Sequence, residues 1–189
     1  MGDLTDDDLM RLFLGGETAA FDALFDRYHA QVYRYALAVL GPSGEAEDVL
    51  QETFLAVVQS VAEYDGRGKF RLWLMRIARN RCLRRLQAAR LREKVMPSRD
   101  VEPAETPSPQ PGPAHEAQAG ETRRSVQSAI RSLPQRQREA LALFAMKELT
   151  YQEIADLMAA PLNTVKTLIR RARIDLARRL AAWSEENAR

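Results

Sequence analysis

Apolar residues in this chain recur every three or four positions and seldom alternate, a period that predicts helices rather than strands. Leu4, Leu9, Leu12 and Phe13 open a first helix, capped by Thr5 or the neighbouring aspartates and ended by Gly15-Gly16. Phe21, Leu24, Phe25, Tyr28, Val32, Tyr35 and Ala36 carry a second helix to the break "GPSG" at 41–44. Glu45, Glu47 and Asp48 are placed in the first turn of the third, where the helix dipole favours negative charge. Leu50, Phe54, Val57, Val58 and Val61 form its expected core stripe. After the glycine-bearing stretch "YDGRGK" a fourth helix starts near Phe70, with Phe70, Leu74, Ile77 and Ala78 facing a core. No Asn-Gly hairpin signal interrupts this pattern.

The periodicity stops between Val95 and Gly120, "VMPSRDVEPAETPSPQPGPAHEAQAG". Proline, alanine and small polar residues dominate, and too little apolar surface is present to offset the entropy of ordering. The expectation is an all-α protein with two small helical domains, 1–94 and 121–189, joined by a flexible proline-rich linker over 95–120. In the second domain Val126, Ile130 and Leu133 mark one helix. Pro134 suits the opening turn of another, which carries Ala140, Leu141, Leu143 and Phe144. "TYQEIADLM" begins with a capping box, Thr150 and Glu153. "AAPL" breaks it, and Asn163 or Thr164 is expected to cap a long last helix with Val165, Leu168, Ile169, Ala172 and Leu176 inward.

Net charge changes this picture little, at +2 over 189 residues, but its distribution matters. No acidic residue lies between Asp65 and Glu93, while Arg67, Lys69, Arg71, Arg76, Arg79, Arg81, Arg84, Arg85, Arg90 and Arg92 do. Lys166, Arg170, Arg171, Arg173, Arg178 and Arg179 form a second basic zone. Two such zones suggest two contacts with a polyanion, against the plainer alternative of solvated helix faces. Cys82 is the only cysteine, so an intramolecular disulfide is excluded, and its apolar neighbours favour a buried thiol. His29 and His115 are isolated, and no metal-ligand spacing, catalytic group or cofactor motif is evident, so a non-enzymatic protein is expected. Neither a signal pattern nor a bilayer-length apolar run is present, and the expectation is a soluble, cytoplasmic protein with no membrane span.

"GRGK" at 66–69 invites comparison with a phosphate-binding loop. That loop requires a preceding strand, an earlier glycine and a hydroxyl after the lysine, so that backbone N–H groups wrap phosphate and the hydroxyl holds magnesium. Here the earlier glycine position is Glu63, the hydroxyl position is Phe70, and the preceding segment reads as helix. A nucleic-acid contact fits better. Gly66 and Gly68 permit a sharp turn and a close backbone approach. Trp73, Arg76, Asn80 and Arg84 share a helix face away from the apolar stripe. Arginines track phosphates, and aromatics and amides hold an unstacked base. Phe70 is read as core, and Arg81 and Arg85, near the apolar stripe, suggest a helix projecting beyond it. In the second domain, two helices with a tight break read as a helix-turn-helix. Lys166, Thr167, Arg170 and Arg171 are placed to reach base edges, and Arg173 and Arg178 to meet phosphate. An autonomous helix-turn-helix regulator is the alternative to the assignment that follows.

With these motifs in order, the chain resembles a bacterial sigma factor of the extracytoplasmic-function group, within the sigma-70 family. "AFDALFDRYHAQVYRYA", "AEDVLQETFLAVV" and "YDGRGKFRLWLMRIARN" resemble successive parts of its region 2. "LPQRQREALALFAMKELTYQEIADLMAAPLNTVKTLIRRAR" resembles region 4. The resemblance implies binding to the core of RNA polymerase, at its clamp coiled coil and flap, with Asp48, Gln51, Glu52 and Leu55 meeting the enzyme. It implies minus-ten recognition and melting by Tyr64, Arg67, Lys69, Trp73, Arg76, Asn80 and Arg84, with Asn80 near a captured base. Lys166, Thr167, Arg170, Arg171 and Arg173 would read the minus-thirty-five element. Promoter DNA and an anti-sigma factor covering apolar and acidic faces of the first domain are the further partners implied. The family usually carries glycine where this chain has Ala159 and Asn163, and often arginine where it has Leu168. A linker of roughly 25 residues at about 3.1 Å each would span about 75 Å.

Overall fold

A computed structural model describes residues 4–66, 68–95, 115–146 and 148–187, with only the backbone described near some segment ends. All regular structure among them is helical. In the amino-terminal module α1 is Asp6–Leu14, α2 Thr18–Leu40, α3 Ser43–Gln59 and α4 Phe70–Val95, with a single 3-10 turn at Val61–Glu63. In the carboxy-terminal module α5 is His115–Arg131, α6 Gln135–Phe144, α7 Tyr151–Met158 and α8 Leu162–Asn187.

Local chemistry sets most of these boundaries. Thr5 and Asp8 form a capping box at the start of α1, and Gly16 follows its end at φ 99°. Thr150 and Glu153 form the same reciprocal cap at α7. α8 begins at Leu162 rather than after Asn163 or Thr164. The Val165 N–H already bonds the Pro161 carbonyl at 3.1 Å, so the helix starts a few residues earlier than the capping residues suggested. α5 starts inside the segment read as linker, because "HEAQAGETRR" supplies enough helix formers to carry a helix through Gly120. The rest of that linker assignment, 96–114, lies outside the described residues.

α2 is the central element, packed on α1, α3 and α4 of its own module and on α5 and α6 of the other. It buries Leu24, Tyr28, Val32, Tyr35, Ala36 and Val39. On α3 the buried set is Ala46, Val49, Thr53, Phe54 and Val57, leaving Leu50 and Val61 half-buried. Val58, expected in the core, is exposed. Its helical spacing places it with Asp48, Gln51 and Leu55 on the opposite face. Glu47 and Asp48 fall beyond the first turn, where only Glu45 stands. α4 buries Phe70, Leu74, Met75, Ala78 and Cys82, mostly at intervals of four, as one inward stripe requires.

The two modules touch along a mixed seam: apolar side chains of both join one buried cluster, and polar pairs run beside it. Arg79 Nε donates to Glu139, a pair whose side chains are only 15% and 4% exposed. Arg71 pairs with Glu148 at 2.9 Å, and Gln31 Nε2 donates to the same carboxylate at 3.2 Å. Arg131 donates to the Gly41 carbonyl at 2.7 Å, and Arg90 to Gln135. Gln31 Oε1, Tyr35 Oη and Arg71 Nε are buried without a protein partner. Hydration of such atoms on separation offsets part of the cost of parting the modules.

Three predictions follow from this packing. Removing Arg79 strands the Glu139 carboxylate, a change worth about 3 kcal/mol where a buried pair is broken. Arg79→Ala should therefore loosen the seam, seen as a larger radius of gyration by small-angle scattering. Ala159 ends α7 in the left-handed region, φ 46° and ψ 53°. That conformation costs a non-glycine residue roughly 1–2 kcal/mol, against about 0.5–1 kcal/mol for the added chain entropy of glycine. Ala159→Gly should stabilise the second module by about 0.5–1 kcal/mol in a denaturant titration. Burial, with Glu139 nearby, pushes the Cys82 thiol from 9.0 up to about 12. The folded value exceeds the unfolded one, so this group favours the fold fully below about pH 9 and progressively less up to pH 12. Native protein at pH 8 should leave a thiol reagent unreacted until denaturant is added.

Candidate nucleic-acid interface

The first basic surface grows from the stripe of α4. With Phe70, Leu74, Ala78 and Cys82 inward, Arg76, Asn80 and Arg84 fall on one exposed row. Lys69 is exposed at the helix start. Trp73 is half-buried, its ring 5.3 Å from Tyr64 and 5.9 Å from Phe70. It therefore bridges core and surface instead of standing wholly on the outer face. Phe70 is 1% exposed, a core residue as its position suggested. The loop before α4 carries Gly66 at φ 63° and Gly68 at φ 67°, a left-handed pair that glycine adopts without a Cβ penalty. Tyr64 is half-buried, and its hydroxyl donates to Asp7 Oδ1 at 2.6 Å. Burial and then that bond push the phenol well above its usual range. Arg67 lies outside the described residues.

The arginines of α4 divide by partner. Arg71 and Arg79 enter the seam between modules. Arg85 reaches back to α3, to Asp48 at 3.1 Å and to Glu52, and Arg81 lies 4.0 Å from Glu52. Partial burial disfavours the Arg85 charge, but the Glu52 and Asp48 carboxylates outweigh it and hold the guanidinium above its ordinary value. The expectation that the helix leaves the core at Arg81 and Arg85 is corrected: two carboxylates on α3 draw both back, and the exposed run begins at Gln87. Arg76 and Arg84 make no ion pair among the described residues.

On α3, Asp48, Gln51 and Leu55 are exposed and Glu52 is half-buried. Leu55 is 56% and Val58 41% exposed, an apolar pair beside carboxylates partly neutralised by their own module. Sequence reading missed Val58 here. Its spacing of three from Leu55 and seven from Gln51 was the available signal.

The second basic surface is on α8. Val165, Ile169 and Ala172 are buried, and Lys166, Thr167, Arg170, Arg171 and Arg173 are all exposed. The Thr167 hydroxyl bonds the Asn163 carbonyl at 2.8 Å. None of the four cations makes an ion pair among the described residues, whereas Arg178 lies 3.8 Å from Asp175. Leu168 is half-buried, packed against the core. α7 and α8 pack together and on α6, the arrangement of a helix-turn-helix. No group of His, Cys, Asp or Glu suited to a metal occurs among the described residues, and no helix there is long and apolar enough to cross a membrane.

Two helical modules, each presenting an outward basic helix face and the second built as a helix-turn-helix, are an arrangement suited to a nucleic acid. The model of Sigma-70 region 2 matches residues 24–92, and that of Sigma-70 region 4 matches 123–176. ECF RNA polymerase sigma factor SigE of Mycolicibacterium smegmatis is 37% identical over 185 residues, covering 90% of this chain and 70% of the relative. SigM of Mycobacterium tuberculosis is 32% identical over 176 residues, covering 93% and 85%. Among solved structures, CnrH in complex with the cytosolic domain of CnrY aligns at TM-score 0.65 and 25% identity, over 94% of this chain and 97% of CnrH. RpoE of Bartonella quintana, solved with the anti-sigma factor NepR, aligns at TM-score 0.69 and 19% identity, over 85% and 96%. The chain belongs to the ECF sigma factors of the sigma-70 family, and is a factor that directs RNA polymerase to promoters.

Proposed function

We propose that the two basic faces divide promoter recognition between them. The row Arg76, Asn80 and Arg84, with Tyr64, Lys69, Trp73 and the glycine loop, takes the minus-ten element and holds a base displaced from the melted strand. Lys166, Thr167, Arg170, Arg171 and Arg173 on α8 meet the minus-thirty-five element. The observation that carries this reading is the exposure of both rows while neighbouring arginines are tied to carboxylates. Cations left without internal partners are the ones able to neutralise phosphate. Arg67 joins the first set from its position in the sequence.

The outer face of α3, with Asp48, Gln51, Glu52, Leu55 and Val58, docks on the polymerase core. Its mix of carboxylates and uncovered apolar side chains suits a protein surface and repels DNA. An anti-sigma partner covering the same face would exclude polymerase by occupancy. The similarity to CnrH, solved in complex with the cytosolic domain of CnrY, supports a protein partner for this chain.

Engaging elements about two DNA turns apart, at roughly 34 Å per turn, requires the packed modules to separate. Between the end of α4 at Val95 and the start of α5 at His115, that length of chain could span at most about 60 Å at about 3.1 Å per residue. This is shorter than the sequence alone suggested. Tethering raises the effective concentration of the second contact once the first is made.

Run-off transcription with core enzyme of the native host, on promoters mapped after induced expression, tests the assignment. Asn80→Ala should cost about 1–3 kcal/mol at the opened promoter, the scale of one held base, with little change in core binding. Arg170→Ala should cost about 1–3 kcal/mol if it reads a base edge, with discrimination relaxed at one minus-thirty-five position. Tight binding of intact duplex without core enzyme would instead favour an autonomous regulator.

A further inference from the structure

The glycine loop is held in place by a residue far from it in sequence. Asp7, in the first turn of α1, spends both carboxylate oxygens on this loop. Oδ1 accepts from the Tyr64 hydroxyl at 2.6 Å, and Oδ2 from the Gly68 backbone N–H at 2.7 Å. The two contacts bracket the left-handed Gly66 and end on the left-handed Gly68. Glycine makes that shape accessible but does not select it, since its backbone samples many others. A carboxylate accepting two hydrogen bonds does select, and charge-assisted bonds of this kind are the stronger ones.

The neighbouring aspartates do other work. Asp6 accepts from the Tyr28 hydroxyl and pairs with Arg27, which also donates to the Leu4 carbonyl at 3.2 Å. Asp8 closes the capping box with Thr5 and pairs with Arg11. Asp6 and the cap thus fix α1 on α2, and that anchoring aims Asp7 at the loop. The effect reaches the aromatic pair, because the Tyr64 ring packs on both Phe70 and Trp73. α1 lies before residue 24, outside the match to region 2.

We propose that Asp7 is a positioning residue for strand capture: it holds Tyr64 and Gly68, on either side of Gly66, in place before DNA arrives. The inference rests on the assignment of this loop to the melted minus-ten strand. A loop already in its bound shape loses less freedom on binding, so the same contacts give tighter capture. Without Asp7 the loop must be ordered by the DNA itself.

The test uses the full chain bound to RNA polymerase core and a fluorescent single-stranded oligonucleotide, the non-template strand of a mapped minus-ten element. Asp7→Ala should weaken oligonucleotide binding about tenfold, and Tyr64→Phe, which removes only a hydroxyl, a few-fold. The double variant should be no weaker than Asp7→Ala, because both changes break one bracket. Binding of a duplex minus-thirty-five fragment and of core enzyme should stay at the level of the unaltered protein, which a general loss of folding would not allow. If Asp7→Ala fails to fold, Asp7→Asn, which keeps the side chain's size but loses its charge and one acceptor oxygen, decides by the same weakening. Unaltered or tighter oligonucleotide binding by the bracket variants, while Lys69→Ala and Asn80→Ala weaken it, overturns the positioning role and leaves strand capture standing. If Lys69→Ala and Asn80→Ala also bind normally, the loop assignment fails and the positioning role with it.

Discussion

Tyr28 sits where three parts of the amino-terminal module meet, and their mutual orientation depends on its surroundings. Its ring packs against Phe70 at 5.4 Å and its hydroxyl donates to Asp6, while the Arg71 guanidinium lies 5.6 Å from the ring centroid. Burial and then the Asp6 bond push the phenol up to about 12, so it stays a neutral donor across the working pH range. One side chain of α2 therefore seats the start of α4 and the start of α1. Seating α4 by Phe70 fixes its rotation, and that rotation turns Arg76, Asn80 and Arg84 outward. Seating α1 by Asp6 brings Asp7 to the glycine loop. The exposed basic row is thus a consequence of core packing on its opposite side.

Charge on α4 is partitioned by the same geometry. Ten cations between Arg67 and Arg92 read in sequence as one basic block. In the fold they serve separate purposes: Arg71 and Arg79 join the modules, Arg81 and Arg85 hold α3, and Arg76 and Arg84 face outward. An ion pair at a seam loses little to solvent screening, whereas an exposed cation awaits a counter-ion from outside. A substitution in this block accordingly removes an internal ion pair or an exposed side chain depending on helix face, and neighbours such as Arg79 and Asn80 differ.

The seam between modules combines a well-buried pair, Arg79 and Glu139, with polar atoms that lack protein partners. Apolar side chains of both modules share one buried cluster beside them, so the polar pairs set the geometry of a contact that apolar burial also holds.

Periodicity, glycine breaks and capping boxes determined the helices themselves, because each arises from contacts within a few residues. The Thr150 box, a cap at Thr5 or its aspartates, the end of α1 at Gly15-Gly16 and the start of α4 at Phe70 were all legible that way, as was the exposed row on α8. Helix existence and the family's motif order were enough to place two domains in sequence. The role of Val58, the inward turn of Arg85, the Glu139 partner of Arg79 and the hold of Asp7 on Gly68 were not legible. Each depends on which element lies across from a side chain, and partners 33, 60 and 61 residues apart leave no local trace. A carboxylate near a helix start reads as a dipole complement whether or not a loop folds over it. Only the tertiary packing of α1 on α2 decides that Asp7 meets the loop.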